Sequence, residues 1–217
     1  MKILIVTSYY SPEIGAAASR MGNLADGLTA RGDEVDVLAP IPNYPLGMVF
    51  PEYLGKRYCM DEINGHRVYR YKTYTTVSKK PLARALGMIS FAAKIWCFGR
   101  RRKLVNSYDL VIVQSPPLPV AYSAIKLFKT VFRKKVILNV SDLWPLSAVE
   151  LGVMRKGSVI YRFFSHMERS IYHHADAVMG QSEEILEHIN QFEPKKDSFL
   201  YRNLKPESEK ANKLAVR

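Results

Sequence analysis

Three short segments combine ligand-binding residue types with a position directly after a predicted strand. The first, Tyr9–Arg20, contains Gly15 within a run of small residues. Small side chains let a backbone approach a ligand closely, and the free amides at the start of a helix attract anions. The segment lacks the G-x-G-x-x-G and G-K-[ST] patterns of nucleotide-binding loops, so a plain strand-to-helix connection explains it as well as a phosphate site does.

The other two segments are Ser115-Pro116-Pro117 and Asp142-Leu143-Trp144-Pro145. A carboxylate just beyond a buried strand needs polar partners, which Asp142 would find by facing a ligand beside the flat apolar wall of Trp144. The alternative is that Asp142 caps the next helix and Trp144 fills the core. Residues 42–47, after another strand, form either a binding wall or a rigid surface loop between prolines.

Strand and helix patterns alternate along the chain. Apolar runs predict strands at 2–7, 35–38, 67–71, 110–113, 136–140 and 176–179. Helical spacing predicts helices at 17–28 and 81–104, around 121–128 and 160–171, and near 185–189, with an irregular loop at 41–58. This alternation predicts an α/β fold: a Rossmann-like, doubly wound, mostly parallel sheet with helices on both faces. The carboxyl ends of such strands share one edge, where the candidate segments should meet.

The composition is that of an ordinary globular protein. Its 217 residues can bury one sizeable core, with 47% apolar and 24% charged residues. The two cysteines fit a reducing compartment, and Met1 leads straight into a strand, so we expect a cytoplasmic protein without a signal peptide. The histidines lack metal-ligand spacing and no G-x-S-x-G motif occurs, so we expect no metal, no cofactor and no covalent catalysis.

The net charge of +12 is concentrated in one part of the chain. Between Ile63 and Tyr108 there are eleven basic residues and no acidic one, whereas the rest of the chain is nearly neutral. A basic span of this kind indicates an anionic partner. We do not expect nucleic acid, because the chain has no recognition motif and no aromatic stacking platform.

Within this span, residues 81–104 form an amphipathic pattern with basic flanks. Such a helix suits an anionic membrane surface, where each nearby Lys or Arg contributes about 1 kcal/mol. Arg84 and Lys94 interrupt it too much for a bilayer span, which takes roughly 20 apolar residues. The alternative is a core helix with solvated ends. The expected membrane-surface residues are Lys79, Lys80, Trp96, Arg100, Arg101, Arg102 and Lys103.

Together these motifs resemble the amino-terminal half of a family 4 glycosyltransferase of the two-domain GT-B type, in the bacterial branch that builds surface-polysaccharide units on a lipid carrier. The resemblance covers nearly the whole chain in order. Two positions depart from the family pattern: Leu146 stands where an acid is usual, and Ser115 where a histidine is frequent. The motifs that carry the resemblance are Tyr9–Arg20, Pro42–Gly47, Ser115–Leu118, Asp142–Pro145 and Glu150–Gly152.

The resemblance implies a role for individual residues. Gly15 and Ala16 would contact the diphosphate of the donor, and Asp142 and Ser115 would face the reacting centre as catalytic residues. The implied acceptor-binding residues are Glu13, Arg20, Asn43, Tyr44 and Trp144.

The resemblance also implies a division of the protein. Residues 1–204 would form the acceptor-side domain, and 205–217 would begin a linker to a carboxyl-terminal donor domain that this chain lacks. The implied reaction moves a hexosyl or N-acetylhexosaminyl unit from a nucleotide-sugar to a glycan or an isoprenoid-diphosphate-linked acceptor, with retention of configuration.

This reaction would take place at the inner face of the plasma membrane, and the 217-residue chain alone would be inactive. The alternative hypothesis is a stand-alone peripheral membrane or partner-binding module without catalytic activity of its own.

Overall fold

The computed structural model describes residues 1–78 and 80–202, which form one α/β unit. The predicted membrane-surface residue Lys79 and the predicted linker 205–217 lie outside the described residues. The strands are β1 (Lys2–Val6), β2 (Glu34–Pro40), β3 (Tyr58–Ile63), β4 (His66–Tyr71), β5 (Leu110–Ser115), β6 (Lys135–Val140), β7 (Ala177–Gly180) and β8 (Asp197–Leu200). They form a single sheet in the order β3-β4-β2-β1-β5-β6-β7-β8, parallel throughout except for the β3–β4 pair.

Helices connect the strands, as the alternating pattern predicts. They are α1 (Ala16–Ala30), α2 (Pro81–Gly99), α3 (Arg102–Asn106), α4 (Leu118–Ile125), α5 (Leu146–Glu150), α6 (Val159–His174) and α7 (Glu183–Phe192). A 3-10 turn covers Pro51–Tyr53, and a π-helical segment, Lys126–Val131, continues α4. The predicted Rossmann-like architecture is therefore confirmed.

The two faces of the sheet are covered very differently. Leu4 and Val6 of β1 belong to a large core that also contains buried side chains of α2, α4, α6 and α7. Ile3 and Ile5, which alternate with them, pack in a smaller core against α1. Helices lie on both faces as expected, but in the described part of the chain the second core receives helical side chains only from α1.

The edge hairpin β3–β4 was not predicted in full. No strand was predicted for 59–63, and Tyr58, the first residue of β3, was placed in the irregular loop 41–58. The residue types of β3 do not alternate between polar and apolar, although exposed and half-buried residues do alternate along it. The turn Asn64-Gly65 joins the two strands, with φ of 52° and 79° at these residues. Asn-Gly is the preferred pair for such a two-residue turn, because both positions need a positive φ. This dipeptide was the signal that could have identified the hairpin.

The predicted helix 81–104 is two helices. Helix α2 ends at Gly99, and Arg101 has a non-helical backbone conformation before α3 begins. Gly99 lies against Leu127, whose side chain would be 2.9 Å from any Cβ at this position. Close packing on the π-helical segment thus ends α2 where hydrophobic periodicity alone would have continued it.

Candidate functional site

Loops after β1, β2, β4 and β5 meet the first half of α2 around a cleft of about 210 Å³, called here the α2 cleft. The polar side chains of this cleft carry hydroxyls, one amide and one guanidinium. The polar and aromatic residues that line it are Ser8, Tyr9, Asn43, Tyr44, Thr73, Tyr74, Thr75, Thr76, Arg84 and Phe91. Hydroxyl groups donate and accept hydrogen bonds at once, which suits a ligand rich in hydroxyls.

A second cavity of about 280 Å³, the α1 cleft, lies at the start of α1. Gly15 and the small residues after it line this cavity together with Arg20. Gly15 is the N-cap, no side chain caps the first amides, and the first turn has no acidic residue. The positive end of the helix dipole is therefore open toward the cavity, as an anion site requires. Gly15 and Ala16 thus lie where a diphosphate could bind.

Two tyrosines separate the α1 cleft from the α2 cleft. The rings of Tyr9 and Tyr44 meet edge to face at 5.1 Å, and both side chains line both cavities. The Tyr44 ring also covers Gly15, where an added Cβ would lie 3.2 Å from its Cε1 atom. Ligands in the two cavities would therefore be neighbours across this aromatic partition of Tyr9 and Tyr44.

The buried carboxylate of Glu13 holds Tyr44 of the aromatic partition through backbone hydrogen bonds. From the sequence, Glu13 was expected to contact the acceptor directly. The residue is only 5% exposed. Its Oε1 accepts hydrogen bonds from the backbone N–H groups of Asn43 at 2.8 Å and Tyr44 at 2.9 Å, and its Oε2 accepts one from Tyr10 N–H. Burial raises the pKa of the Glu13 carboxyl, while these N–H donors act in the opposite direction. Glu13 is accordingly a positioning residue that holds the loop after β2 against the loop after β1.

Arg70 performs a similar task and was not singled out from the sequence. Its side chain is fully buried on β4, pairs with Asp61, and donates hydrogen bonds to the carbonyls of Ser11 and Pro40. It thereby ties the hairpin to the loops after β1 and β2. An arginine between two tyrosines of a predicted strand was the available signal, because a buried guanidinium needs several acceptors.

Gly47, in the loop after β2, lies at a position that has no room for a side chain. Its φ is +71°, and an added Cβ would lie 1.9 Å from the carbonyl oxygen of Thr76. The loop after β2 therefore runs directly against the segment after β4. The side-chain amide of Asn43 donates to the carbonyl of Ile41 at 2.9 Å, which shapes the same loop. Asn43 and Tyr44, two of the predicted acceptor-binding residues, both line the α2 cleft.

Arg20, a predicted acceptor-binding residue, lines the α1 cleft and does not line the α2 cleft. Its Nη1 donates to Oε1 of Gln181 at 2.8 Å, and burial lowers its pKa. A polar row continues beneath it on the same face of the sheet, formed by Thr7, Gln114 and the fully buried Asn139. The Asn139 amide, Arg20 Nε and Gln181 Nε2 have no hydrogen-bond partner in the described part of the protein.

Asp142 follows β6 at the expected edge, but it lines neither cavity. The side chain is exposed, and its Oδ2 accepts a hydrogen bond from the Ser147 hydroxyl at 3.1 Å. It does not cap α5, whose N-cap is Pro145. Trp144 packs edge to face on Phe164 at 4.9 Å and joins the large core. Trp144 therefore packs on the core, which was the alternative considered for it, but Asp142 does not cap the helix that follows it.

Ser115, predicted to face the reacting centre, lies at the buried end of β5. It is the last residue of β5 and only 2% exposed. Its carbonyl accepts hydrogen bonds from both the N–H and the hydroxyl of Ser141. The turn nevertheless reaches the α2 cleft through Pro117. Ser115 thus aligns the ends of β5 and β6 without presenting an open hydroxyl.

The threonine- and tyrosine-rich run 73–76 and Arg84 line the α2 cleft but were not predicted as site residues. The run directly follows β4, and its position at the carboxyl end of a predicted strand could have identified it as part of the site. Arg84 was read only as an interruption of an amphipathic helix. It is the single charged residue among the described residues of this cleft. Its proximity acts to lower the pKa of Tyr9, which burial raises.

Helix α2 exposes a continuous apolar stripe on its outer side. Residues 82, 86, 89, 93 and 96 lie on one helical face and are all exposed, whereas Phe91, Ile95 and Phe98 are buried in the large core. Trp96 is partly held by a hydrogen bond from its indole N–H to Ser123 at 3.0 Å. The window Leu82–Gly99 has a mean hydropathy of 1.3 and is only 22% buried, so by length and composition alone it could cross a membrane.

The basic residues near α2 differ in whether their side chains are bound to other residues. Lys80, Arg100, Arg102 and Lys103 are exposed. Arg101 is instead engaged, because it stacks on the Tyr58 ring at 4.3 Å and donates to the Tyr58 hydroxyl at 2.7 Å. Among residues 1–78 and 80–202, no group of three His, Cys, Asp or Glu side chains is placed to hold a metal ion.

Comparison with known proteins agrees with this architecture. The chain is 28% identical over 180 residues to WcaI of Escherichia coli (strain K12), which is named as a colanic acid biosynthesis glycosyl transferase; the match covers 82% of this chain and 44% of that protein. The chain therefore spans less than half the length of this curated relative.

Solved structures of GT-B glycosyltransferases share the fold at low sequence identity. The E. coli trehalose-6-phosphate structure bound with UDP-2-fluoro glucose has a TM-score of 0.59 at 11% identity, over 100% of this chain and 52% of that one. The catalytic domain of starch synthase IV from Arabidopsis thaliana, bound to ADP and acarbose, has a TM-score of 0.57 at 10% identity, over 91% and 51%. Residues 15–198 match the glycosyl transferase 4-like domain, so the chain belongs to this glycosyltransferase family.

Proposed function

We propose that this chain is the acceptor-binding half of a retaining glycosyltransferase that moves a sugar from a nucleotide-sugar to a lipid-linked or other glycan acceptor in surface-polysaccharide synthesis. The observation that carries the proposal is the pair of neighbouring clefts on either side of Tyr9 and Tyr44. One cleft ends at an uncapped helix N-terminus and the other is lined with hydroxyls. Together they offer an anion site and a sugar site in contact.

The α1 cleft is the proposed site for the donor diphosphate. Backbone amides at Gly15 and Ala16 would stabilise the negative charge that develops on the diphosphate as the sugar leaves. The name of WcaI, and the UDP-sugar and ADP bound in the two structural neighbours, support a nucleotide-sugar donor. We propose that the rest of the nucleotide-sugar is held by a carboxyl-terminal domain, and that no metal or other cofactor takes part.

The α2 cleft is the proposed acceptor site. Asn43, Tyr44 and the 73–76 run would bind sugar hydroxyls, since amides and hydroxyls form hydrogen bonds with them in either direction. Asp142 stays a predicted catalytic residue, exposed at the same edge of the sheet. The sugar transferred is proposed to be a hexose or an N-acetylhexosamine, by the resemblance described above.

The exposed stripe of α2 and the free basic residues near it support attachment to a membrane. We propose a peripheral position on the cytoplasmic face of the plasma membrane, where a lipid-linked acceptor would be presented. The same stripe is the specific observation that favours the second candidate function, a peripheral membrane or partner-binding module without activity.

A charge placed in the α1 cleft tests the donor site. We expect Ala16→Glu to raise the KM for the nucleotide-sugar by about tenfold or more, because a carboxylate in the first helical turn repels the diphosphate. Ala16→Gln, which has nearly the same size but no charge, should change it about twofold at most. Both variants should remain folded, since Ala16 is exposed and an acid suits a helix N-terminus.

The measurement is transfer kinetics in the native-length protein, together with the affinity for UDP and for ADP. Equal effects of the two substitutions would contradict an electrostatic donor site at Gly15 and Ala16. Absence of any nucleotide binding by the native-length protein would instead favour the module without activity.

A further inference from the structure

Arg84 is the feature of the α2 cleft that sugar binding alone does not explain. Among the described residues that line the cleft it is the single charged one, and none of these residues carries a carboxylate. The side chain is exposed and takes part in no hydrogen bond or ion pair within the described part of the chain. A guanidinium without an acidic partner in a concave site attracts an anion, and its planar geometry fits phosphate oxygens.

We propose that Arg84 binds a phosphate group of the acceptor and so selects acceptors in which a phosphate or diphosphate adjoins the sugar. This inference rests on the proposed function, because it assigns the acceptor to the α2 cleft. The hydroxyls of residues 73–76 hold the sugar, and the guanidinium at the first turns of α2 holds the phosphate that follows it.

The position of Arg84 favours the acceptor over the nucleotide as the source of this phosphate. The α1 cleft has its own amide donors for the donor diphosphate, and the Tyr9–Tyr44 partition lies between it and the α2 cleft. Arg84 lies on the far side of that partition.

Helix α2 also offers a surface for the part of the acceptor beyond the phosphate. Its cleft side carries Ala83, Gly87 and Phe91, and its outer side carries the exposed Leu82, Leu86 and Ile89. At 3.6 residues per turn the centres of these two sets lie roughly 130° apart around the helix axis. An apolar tail can therefore lie on the outer side of the helix while its phosphate reaches Arg84 near the helix start.

The test compares a charged and a neutral acceptor in the native-length protein. The charged probes are geranyl diphosphate-linked glucose and N-acetylglucosamine, and the neutral probes are the octyl glycosides of the same sugars. We expect Arg84→Gln to raise the KM for the diphosphate acceptor by roughly tenfold to a hundredfold, since a hydrogen bond to a charged group is lost. The KM for the neutral acceptor should change about twofold at most.

Two further variants separate a local contact from net charge. Lys94→Gln removes the same charge from α2 outside the cleft and should leave both acceptors unaffected, and Arg84→Lys should recover part of the lost affinity. The affinity for UDP is measured in parallel and should not change in Arg84→Gln.

An equal loss for charged and neutral acceptors, or a matching loss of UDP affinity, would overturn the inference and leave the proposed transferase function intact. If the unaltered native-length protein used none of the acceptors and bound no UDP, the proposed function would fail as well. These outcomes are distinct, because the second is read from the protein without any substitution.

Discussion

At the scale of single residues, the loops of the two clefts depend on buried charged groups beneath them. Glu13 uses its carboxylate on the amides of Asn43 and Tyr44, and Arg70 uses its guanidinium on the carbonyls of Ser11 and Pro40. Buried polar groups of this kind are tolerated only when their partners are in place. The residues that can touch a ligand are therefore positioned by charged residues one layer below them.

Gly47 provides a test of how the loop after β2 is held. We expect Gly47→Ala to cost at least about 2 kcal/mol in the free energy of unfolding, because a left-handed backbone and a close contact are both penalised. The added methyl group would collide with the Thr76 carbonyl and push the loop into the α2 cleft, so the KM for the acceptor should rise as well. Chemical denaturation and acceptor kinetics measure the two effects.

Gly55 supplies the matched control for this substitution. Its φ of +76° is close to that of Gly47, but nothing lies within 4 Å of an added Cβ. Gly55→Ala should therefore lower the free energy of unfolding by only about 1 kcal/mol, the cost of a left-handed backbone at alanine. It should leave acceptor binding unchanged. Equal costs at the two positions would show that the Thr76 contact does not matter.

At the scale of elements, helix α2 has three sides with three different roles. One side packs in the large core through Phe91, Ile95 and Phe98, another lines the α2 cleft, and the third exposes the stripe. A helix that only closed a soluble core would bury its apolar residues or carry polar ones outside. The stripe therefore gives α2 a surface that needs a partner, and the nearby basic residues favour an anionic one.

We expect the double substitution Leu86→Ser and Ile89→Ser to lower partitioning onto vesicles of phosphatidylglycerol and phosphatidylcholine by about tenfold or more, since apolar area is lost from the contact. The fold should be retained, because both side chains are already half-exposed. Flotation at low and high salt measures the effect, and salt should weaken binding to the anionic vesicles.

The control for the stripe is the pair Leu151→Ser and Val153→Ser, which removes two exposed apolar residues outside α2. Its partitioning should match that of the unaltered protein. A similar loss in both pairs, or binding that is equal on neutral vesicles and insensitive to salt, would contradict a membrane role for α2.

At the scale of the whole molecule, both clefts open at one edge of the sheet, where the loops of parallel strands meet. The chain spans 44% of WcaI and about half of the two structural neighbours. The remainder of such proteins is the proposed location of the donor domain.

We expect the 217-residue chain alone to show less than about one hundredth of the transfer rate of the native-length protein, because bringing both substrates together accounts for much of the catalysis in a bimolecular reaction. It should still bind the diphosphate-linked acceptor. Transfer assays on the two lengths at equal concentration measure this, with acceptor binding as the control for folding. Full turnover by the 217-residue chain would contradict the two-domain proposal.

Local pattern in the sequence was sufficient for the fold class and for the edge at which the site forms. Apolar runs and helical spacing report which face of each element is buried, and parallel strands then bring their carboxyl ends together by topology alone. Residues 2–7, 35–38 and 136–140 were therefore predicted as strands, whereas Gly15, Asn43 and Tyr44 were assigned to ligands only through the family resemblance.

Tertiary packing decided what each of these residues does. Glu13 and Ser115 became buried supports and Trp144 joined the core, while Arg84 entered the α2 cleft and α2 ended at Gly99. Residue type and spacing could not distinguish these outcomes, because burial and hydrogen-bond partners come from segments distant in the chain, such as residue 13 with 43 and 44 or residue 70 with 11. Sequence therefore determined which loops meet, and only their packing determined which side chains face the clefts.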